Sequence, residues 1–309
     1  MRSLSLISIF LLTSLLLQNC NEISAQGTLA EAEFSIENVK YLEIDGGFCN
    51  IELNGYSGSS LKMEGSIKGS GDQDKYEIIY REENGKIKVW VEHPNNIWGN
   101  IKGLIRFDVP KNVQVMADNS SGNIDANNLN ANEINLEASS GNITAREMAS
   151  ELNIKCSSGN ITLSHQKGNT TTRASSGNLK IDNIDGDLTA HATSGNITIY
   201  TVSGDVSADC SSGNIKLRDI KGRLNTESSS GNIRGDGIKL MGDSRFKASS
   251  GNVTIGLLND EDELSFDLDA GSGNLYAAGS SSDDQLILKK GPITITGITS
   301  SGNQRYTTD

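Results

Sequence analysis

Short runs of alternating hydrophobic and polar residues cover most of this chain. In its central part, two apolar residues separated by one polar residue recur after a small polar turn. These pairs are Ile161 and Leu163, Leu179 and Ile181, Ile197 and Ile199, Ile215 and Leu217, and Val253 and Ile255. The intervening residue is Thr or Lys in each pair. A period of two predicts short β-strands that bury one face and expose the other.

A second alternating segment follows each of these strands. Its inward pairs are Leu188 and Ala190, Val206 and Ala208, Leu224 and Thr226, and Phe246 and Ala248. One more apolar residue follows the first strand, at Ile184, Val202 and Ile220, and we expect it to fill the turn. Each unit therefore contains two strands.

The units repeat at a nearly constant interval. A Ser-Ser-Gly-Asn turn or a near variant has its Gly at 122, 141, 159, 177, 195, 213, 231, 251, 273 and 302. Successive positions differ by 19, 18, 18, 18, 18, 18, 20, 22 and 29, and this regularity is the signature of a repeat architecture. A weaker turn at Gly168, Gly186, Gly204 and Gly222 divides the 18-residue unit in half.

Units of this kind bury their apolar stripes only by stacking, each coil on the next. We therefore predict an all-β fold, a right-handed parallel β-solenoid (β-helix) with coils of about 18 residues, since crossover connections favour that hand. At about 4.8 Å per coil, ten coils would form a rod about 45 to 50 Å long. The repeat leaves open whether the coil cross-section has two sides or three.

The turn motif is interpreted as a structural ladder. Gly adopts a positive φ without steric cost, and Asn tolerates it next best while bonding to nearby backbone. Stacked in register, the Asn side chains are expected to hydrogen-bond along one edge of the rod. The predicted ladder residues are Gly122, Asn123, Gly141, Asn142, Gly159, Asn160, Gly177, Asn178, Gly195, Asn196, Gly213, Asn214, Gly231, Asn232, Gly251 and Asn252. The alternative is that this polar ridge binds a ligand.

The two ends depart from the repeat. Residues 26–117 carry strand signals without the strong turn, and we interpret them as an N-terminal β cap. Within this cap, the segment 47–51 resembles a degenerate copy of the turn. Residues 118–309 form the predicted solenoid, with 256–309 closing its far end.

The first residues are typical of an export signal. Arg2 is followed by an apolar run from Leu4 to Leu17, which is short for a membrane span. A signal peptide of residues 1–25 would end after Ala25, whereas a lipoprotein signal of 1–19 would make Cys20 the lipidated first residue. Both alternatives predict an exported protein at the outer membrane, cell surface or periplasm, or secreted, with membrane contact only through a possible lipid anchor.

Charge and composition narrow the choice of partners. The formal net charge of -12 argues against nucleic acid, which requires clustered Lys and Arg. Aromatic residues make up only 5% of the chain, which favours a narrow core of aliphatic side chains. The expected partner is an unidentified glycan or protein at the cell envelope, and oligomeric state is left open.

The cysteines predict no disulfide. Cys156 and Cys210 stand where other coils have Ala, so both should point inward, three coils apart and too far to bond. Cys49 has no obvious partner. We expect no metal or cofactor, because the three histidines lack zinc spacing. A calcium β-roll is disfavoured because only Asp187 and Asp205 occupy equivalent positions of the weak turn.

One cluster of outward-facing side chains is a candidate catalytic site. Asp209 and Glu227 would lie one coil apart on an outward face, with His191 one coil below, as a glycan-cleaving β-helix would require. A solvated face of mixed charge explains the same residues, so we predict no catalytic site. Trp98 lies in a predicted loop and is a speculative binding contact; alternatively it folds back to seal the first coil.

The Ser-Ser-Gly-Asn-Ile-x-Leu repeat of residues 120–303, preceded by a cap, resembles the bacterial "putative adhesin" family of β-strand-repeat proteins. That family is identified by Ser-Gly-Asn/Asp-Ile repeats and is related to the toast-rack envelope domains. The resemblance implies an exported β-solenoid and supplies no catalytic residues. It favours a non-enzymatic, adhesin-like interaction module. An envelope-stress or sensory accessory protein and a polysaccharide-cleaving enzyme are the alternatives.

Overall fold

The computed structural model describes residues 27–97 and 99–308 of the 309-residue chain. The predicted signal peptide, the possible lipidation site Cys20 and the candidate contact Trp98 lie outside these residues. Regular structure in the described part consists of β-strands and two single 3-10 turns, Gln73–Lys75 and Glu261–Glu263. No helix in these residues is long and apolar enough to cross a membrane.

The strands divide into an N-terminal, a central and a C-terminal set. The N-terminal set is β1 Gly27–Glu37, β2 Tyr41–Asp45, β3 Asn50–Tyr56, β4 Ser60–Gly69, β5 Glu77–Glu83, β6 Lys86–Glu92, β7 Lys102–Pro110, β8 Gln114–Asn119 and β9 Ile124–Asn127. The central set is β10 Asn130–Ala138, β11 Ile143–Cys156, β12 Ile161–Lys167, β13 Thr170–Ala174, β14 Leu179–Asp185, β15 Leu188–Ser194, β16 Ile197–Ser203, β17 Val206–Ser212, β18 Ile215–Gly222, β19 Leu224–Ser230, β20 Ile233–Leu240, β21 Ser244–Ser250 and β22 Val253–Leu257. The C-terminal set is β23 Leu264–Ser272, β24 Leu275–Ala277, β25 Ser280–Ser282, β26 Gln285–Leu288, β27 Ile293–Ser301 and β28 Gln304–Thr308.

In the central set each coil contributes one strand to each of two parallel stacks. Face A contains the strands that follow the Ser-Gly-Asn turn, which are β12, β14, β16, β18, β20 and β22. Face B contains the strands that follow the weaker turn, which are β13, β15, β17, β19 and β21. The long strand β11 pairs with β12 through its first half and with β13 through its second, so both faces belong to one continuous sheet.

The register follows the sequence repeat. Ile161 pairs with Leu179, and Leu179 pairs with Ile197, so neighbouring strands of face A are offset by one repeat unit. On face B, Leu188 pairs with Val206 by the same offset. The structure therefore shows an all-β chain of mostly parallel strands wound as a solenoid.

The core is a narrow stack of the predicted inward residues. Ile197 and Ile199 on face A are fully buried, and Leu188 and Ala190 on face B are 1% exposed. The apolar residue expected to fill the turn is also buried, as shown by Ile184 at 2% exposure. Alternation along the strands thus predicted the buried face correctly.

A bend that the sequence reading missed lies inside the face A strands. One residue in each coil has a positive φ near 55°, and the following residue returns to the ladder. The bend residues are Asn128, Glu147, His165, Asn183, Thr201 and Asp219, with Gly237 in the next coil. Asn, Asp and Gly adopt this conformation most readily, which explains four of the seven. The position is a third corner of the coil.

At the N-terminus, the first coil of the chain does not lie at the end of the stack. Strand β2 pairs with both β6 and β8, and β3 pairs with both β7 and β9. The coil of β2 and β3 therefore lies between two later coils, and the coil of β6 and β7 is nearer the N-terminal end of the stack. Antiparallel strands complete this end, with β5 on β6, β4 on β7 and β1 on β4.

The C-terminal end corrects the expectation that coils stack in chain order up to residue 309. Strand β27 lies between β21 and β23, and β28 lies between β22 and β24. The coil of β27 and β28, which is the last in sequence, thus lies between the coil of β21 and β22 and the coil of β23 and β24. The short antiparallel strands β25 and β26 pair with β24 and β23.

Candidate functional site

The exposed edge at the strong turn carries a continuous ladder of Asn side chains. In each step but one, the backbone N–H and the Nδ2 of one Asn donate to Oδ1 of its neighbour; Asn178 donates to Asn160 with N···O distances of 3.0 and 3.2 Å. In the remaining step, only the backbone N–H of Asn303 donates to Asn252. The ladder contains, in spatial order, Asn50, Asn123, Asn142, Asn160, Asn178, Asn196, Asn214, Asn232, Asn252, Asn303 and Asn274. Because Asn50 accepts hydrogen bonds from Asn123, the segment 47–51 contributes to the ladder as the repeat turns do.

Glycine is required beside this ladder for a different reason from the one the sequence suggested. Most of the predicted turn glycines, including Gly177, do not have a positive φ. A Cβ on Gly177 would instead lie 1.7 Å from the carbonyl oxygen of Gly159, and one on Gly195 would lie 2.1 Å from that of Gly177. The coils approach so closely at this edge that no side chain fits between them.

A second, shorter ladder lies at the weak turn. The backbone N–H of Asp187 donates to Asn169, that of Asp205 to Asp187, and that of Arg223 to Asp205. The Arg223 guanidinium also donates to the Asp205 carboxylate, and this pairing lowers the pKa of Asp205. The two carboxylates considered for calcium are therefore used as turn acceptors. No group of side chains suited to a metal ion occurs in residues 27–97 and 99–308.

Cys156 and Cys210 lie in the core as their positions predicted, and Cys49 lies there as well. Cys49, Cys156 and Cys210 are buried and free. The Sγ of Cys156 donates to the Gly141 carbonyl at 3.1 Å and accepts the Gly159 N–H at 3.1 Å. Burial raises the pKa of the Cys49 thiol to about 12. Buried thiols of this kind are unreactive, so they do not form a chemical site.

The row considered for catalysis is a run of ion pairs on face B. Register brings His191, Asp209, Glu227 and Lys247 together in adjacent coils, as expected. His191 Nδ1 lies 3.1 Å from Asp209, and Lys247 Nζ lies 2.6 Å from Glu227. Each carboxylate thus faces its own partner, and all four side chains are solvent-accessible. This arrangement fits a solvated mixed-charge face.

Face A carries a row that sequence reasoning did not single out. Pairing aligns Lys180, Thr198, Lys216, Arg234, Thr254 and Arg305 in consecutive coils, and we name this row the basic stripe. It runs parallel to the Asn ladder, two positions further along each coil. A groove lies between the two rows, lined by Asn214, Lys216, Asn232, Arg234, Asn252 and Thr254.

The family assignment rests on the sequence. The Toastrack DUF4097 family matches residues 39–199 and 146–304, which together cover most of the chain. The chain belongs to the Toastrack DUF4097 family. This places the N-terminal strands and the repeat coils of the Toastrack chain within the same family architecture. No curated protein matches the sequence.

Three solved structures are similar to this Toastrack chain at low identity. A "putative cell adhesion protein" from Clostridium sporogenes is 12% identical, with 90% of this chain and 99% of that chain covered and a TM-score of 0.25. A "putative adhesin" from Bacteroides fragilis is 10% identical, covering 90% and 96%, with a TM-score of 0.37. A "putative lipid binding protein" from Parabacteroides distasonis is 16% identical, covering 74% and 96%, with a TM-score of 0.37.

Faces A and B of the Toastrack chain present their exposed side chains in rows. The Asn ladder was predicted from the repeat, and the His191–Glu227 row from strand alternation. The basic stripe was missed because each coil contributes only one of its residues, and the row is visible only after the coils are aligned at 18-residue offsets. The sequence pattern showed Thr or Lys at this outward position, but the continuation of the row through Arg234 and Arg305 was not recognised.

Proposed function

We propose that this Toastrack protein is a non-catalytic, exported cell-envelope protein that acts as an adhesin-like interaction module. The observation that carries the proposal is the repetition of one exposed surface, coil after coil, along the Asn ladder and the basic stripe. A surface with this periodicity suits an extended partner that makes the same contact many times, because linked weak contacts add avidity. The proposed rod is right-handed, with residues 26–117 as its cap and 118–309 as its repeat domain.

The proposal that no catalysis occurs is supported by the pairing of the candidate residues. Asp209 and Glu227 are the carboxylates whose spacing most resembles that of a glycan-cleaving site, and each contacts a basic side chain. Within the described chain no long loop covers that face, since the weak and strong turns around it are short. A site that excludes water is therefore missing from this part of the described chain.

Adhesion is tested by immobilising the purified protein and measuring its retention of envelope material and of arrayed glycans. We expect retention that depends on the number of coils displayed. In parallel, acidic and neutral polysaccharides are incubated with the protein and assayed for new reducing ends, and none are expected. Turnover that disappears in Asp209→Ala and Glu227→Ala would replace this proposal by the enzymatic one.

Attachment to the membrane is tested by intact mass. A lipidated mass beginning at Cys20 in the membrane fraction identifies a tethered lipoprotein. A soluble species beginning at Gln26 identifies a free periplasmic or secreted rod. A full-length species in the cytoplasm that still carries the segment 1–25 contradicts export.

A further inference from the structure

The basic stripe contrasts with the acidic composition of the chain. The chain has 39 acidic and 27 basic residues, yet the row from Thr144 to Arg305 on face A contains no carboxylate. Its four cations, Lys180, Lys216, Arg234 and Arg305, have no ion-pair partner among the described residues.

In the equivalent row on face B the basic residues other than Arg173 have an acidic partner. There Lys155 lies 3.6 Å from Glu137, His191 lies 3.1 Å from Asp209, and Lys247 lies 2.6 Å from Glu227. Lys216 and Arg234 lie in adjacent coils and repel one another, and the fold offsets this repulsion only through a cation–π contact between Lys216 and the Tyr200 ring, 5.8 Å from Nζ to the ring centroid. The alignment of these cations in one row, with Lys216 and Arg234 in consecutive coils, therefore points to an anion that is supplied from outside.

The neighbouring Asn ladder adds hydrogen-bond donors to the same groove. The ladder residues from Asn123 to Asn232 each use Oδ1 to accept two hydrogen bonds and one Nδ2–H to donate to the previous coil, as Asn232 does. The backbone N–H to Oδ1 bond fixes the orientation of the amide. The second Nδ2–H of each exposed amide has no partner in the ladder and remains available beside Lys216 and Arg234.

We propose that the groove between the Asn ladder and the basic stripe binds a linear acidic polysaccharide whose carboxylates contact the stripe. Charge-assisted hydrogen bonds from Lys and Arg to carboxylate are the strong contacts in this arrangement. The Thr hydroxyls and Asn amides between them match the hydroxyl groups that a sugar presents between its charges. The inference rests on the proposed adhesin-like function and names its partner.

The spacing of the cations favours a polysaccharide over duplex nucleic acid. Coils rise about 4.8 Å, so Lys180 and Lys216 are separated by about 10 Å, Lys216 and Arg234 by about 5 Å, and Arg234 and Arg305 by about 10 Å. Each strand of duplex DNA carries about one phosphate per 3.4 Å of helix axis, which is denser than this row neutralises. The net charge of -12 also opposes the approach of so dense a polyanion.

The test uses polygalacturonate oligomers as the probe and the purified protein, with binding measured by calorimetry at low and high salt. The double variant Lys216→Glu/Arg234→Glu should bind at least about tenfold more weakly, since losing even one charge-assisted contact has an effect of this size. The control, Lys221→Glu/Arg245→Glu, makes the same charge change at exposed residues away from the groove and should stay within about threefold. Circular dichroism confirms that both variants fold.

Three results overturn the inference. One is unchanged binding by the Lys216→Glu/Arg234→Glu variant, and another is equal weakening by the control variant. The third is tighter binding of single-stranded DNA than of polygalacturonate at matched salt. If the protein retains envelope material but not polygalacturonate, this inference fails while the adhesin-like function stands; if it retains neither, both fail.

Discussion

The central coils and the C-terminal coils of this protein use the same turn but different stacking. Between residues 161 and 240, each coil pairs with the coils before and after it in sequence, and the ladder advances by one repeat unit at each step. After Asn252 the ladder advances 51 residues to Asn303 and then returns 29 residues to Asn274. The same local chemistry therefore supports two chain orders.

The difference shows which interactions specify position along the rod. The turn motif determines that an Asn joins the ladder, but it does not determine which coil is its neighbour. In the centre, an 18-residue coil is too short to reach anything except the adjacent position. Longer segments, such as the one carrying the turn Glu261–Glu263, allow the chain to skip a level and return.

The largest expected contrast between the two regions comes from a buried charge. Ile197→Asp places a carboxylate in a fully buried position of the central stack and should cost more than about 4 kcal/mol of unfolding free energy. Leu286→Asp, on the outermost strand β26, should cost about half as much, because that strand contacts the stack on one side only. Urea unfolding measures both. Equal losses would mean that the end is as tightly packed as the centre.

Removal of residues 292–309 tests the inserted coil. Without β27 and β28, strands β23 and β24 lose their parallel partners, so their amides should lose protection from hydrogen exchange. The strands from β12 to β18 should keep theirs. The outward substitution Arg305→Ala is the control and should leave protection unchanged. Continued protection of β23 would show that it stacks directly on β21.

Close approach of the coils predicts a difference between two glycines. Gly177→Ala places a Cβ 1.7 Å from a backbone oxygen and should destabilise the protein by about 3 kcal/mol or more. Gly279→Ala, at the C-terminal end, has nothing within 4 Å and suffers only from its φ of 75°, at a cost of about 1 kcal/mol. Thermal unfolding compares them. The idea fails if Gly279→Ala is the more damaging.

Much of the central fold could be predicted because its residues repeat. Ile197 and Ile199 identified the buried side by alternation, and the 18-residue interval aligned Asn178 with Asn196. The insertion of Asn303 below Asn274 could not be predicted, because both carry the same Gly-Asn turn and either satisfies the ladder. The corner at Thr201 was missed because a β-branched residue disfavours positive φ, and only its stacked neighbours hold it there.

The candidate surface could likewise be predicted only in part. Asp209 and Glu227 were placed together correctly, since strand alternation alone fixes their face. Their pairing with His191 and Lys247 could not be read from the sequence, because it depends on side-chain orientation. The signal peptide, Cys20 and Trp98 remain predictions.

The two regions should also differ in their response to alkaline pH. Burial raises the pKa of Cys49 to about 12 from an ordinary value near 9. The contribution of the neutral thiol to the free energy of unfolding is therefore complete below pH 9 and is lost as the pH rises towards 12. Between pH 8 and pH 10.5 this thiol should contribute a loss of about 2 kcal/mol, and Cys49→Ala should remove it.

Cys210, in the central stack, provides the comparison. Burial raises its pKa as well, but backbone hydrogen bonds oppose the shift. Cys210→Ala should therefore change the pH dependence of urea unfolding less than Cys49→Ala does. A larger change in Cys210→Ala would show that Cys210, and not Cys49, makes the larger contribution to the loss of stability at alkaline pH.

The smallest expected contrast lies within the Asn ladder. Asn178→Ala removes three side-chain hydrogen bonds in the centre and should cost about 1 to 2 kcal/mol. Asn274→Ala removes only the bond from its Nδ2 to Asn303 and should cost about 0.5 kcal/mol. Chemical unfolding of the two variants gives the difference. Equal costs would show that the ladder bonds do not contribute individually.

The inserted coil also makes assembly of this end depend on the order of synthesis. Residues 264–277 leave the ribosome, and in an exported protein cross the membrane, before residues 293–308. Yet the later segment occupies the level between them and the rest of the rod. The earlier segment must therefore wait undocked, or be displaced, until its successor arrives. A growing chain can complete the centre coil by coil as it emerges, but the far end closes only once both segments have been delivered.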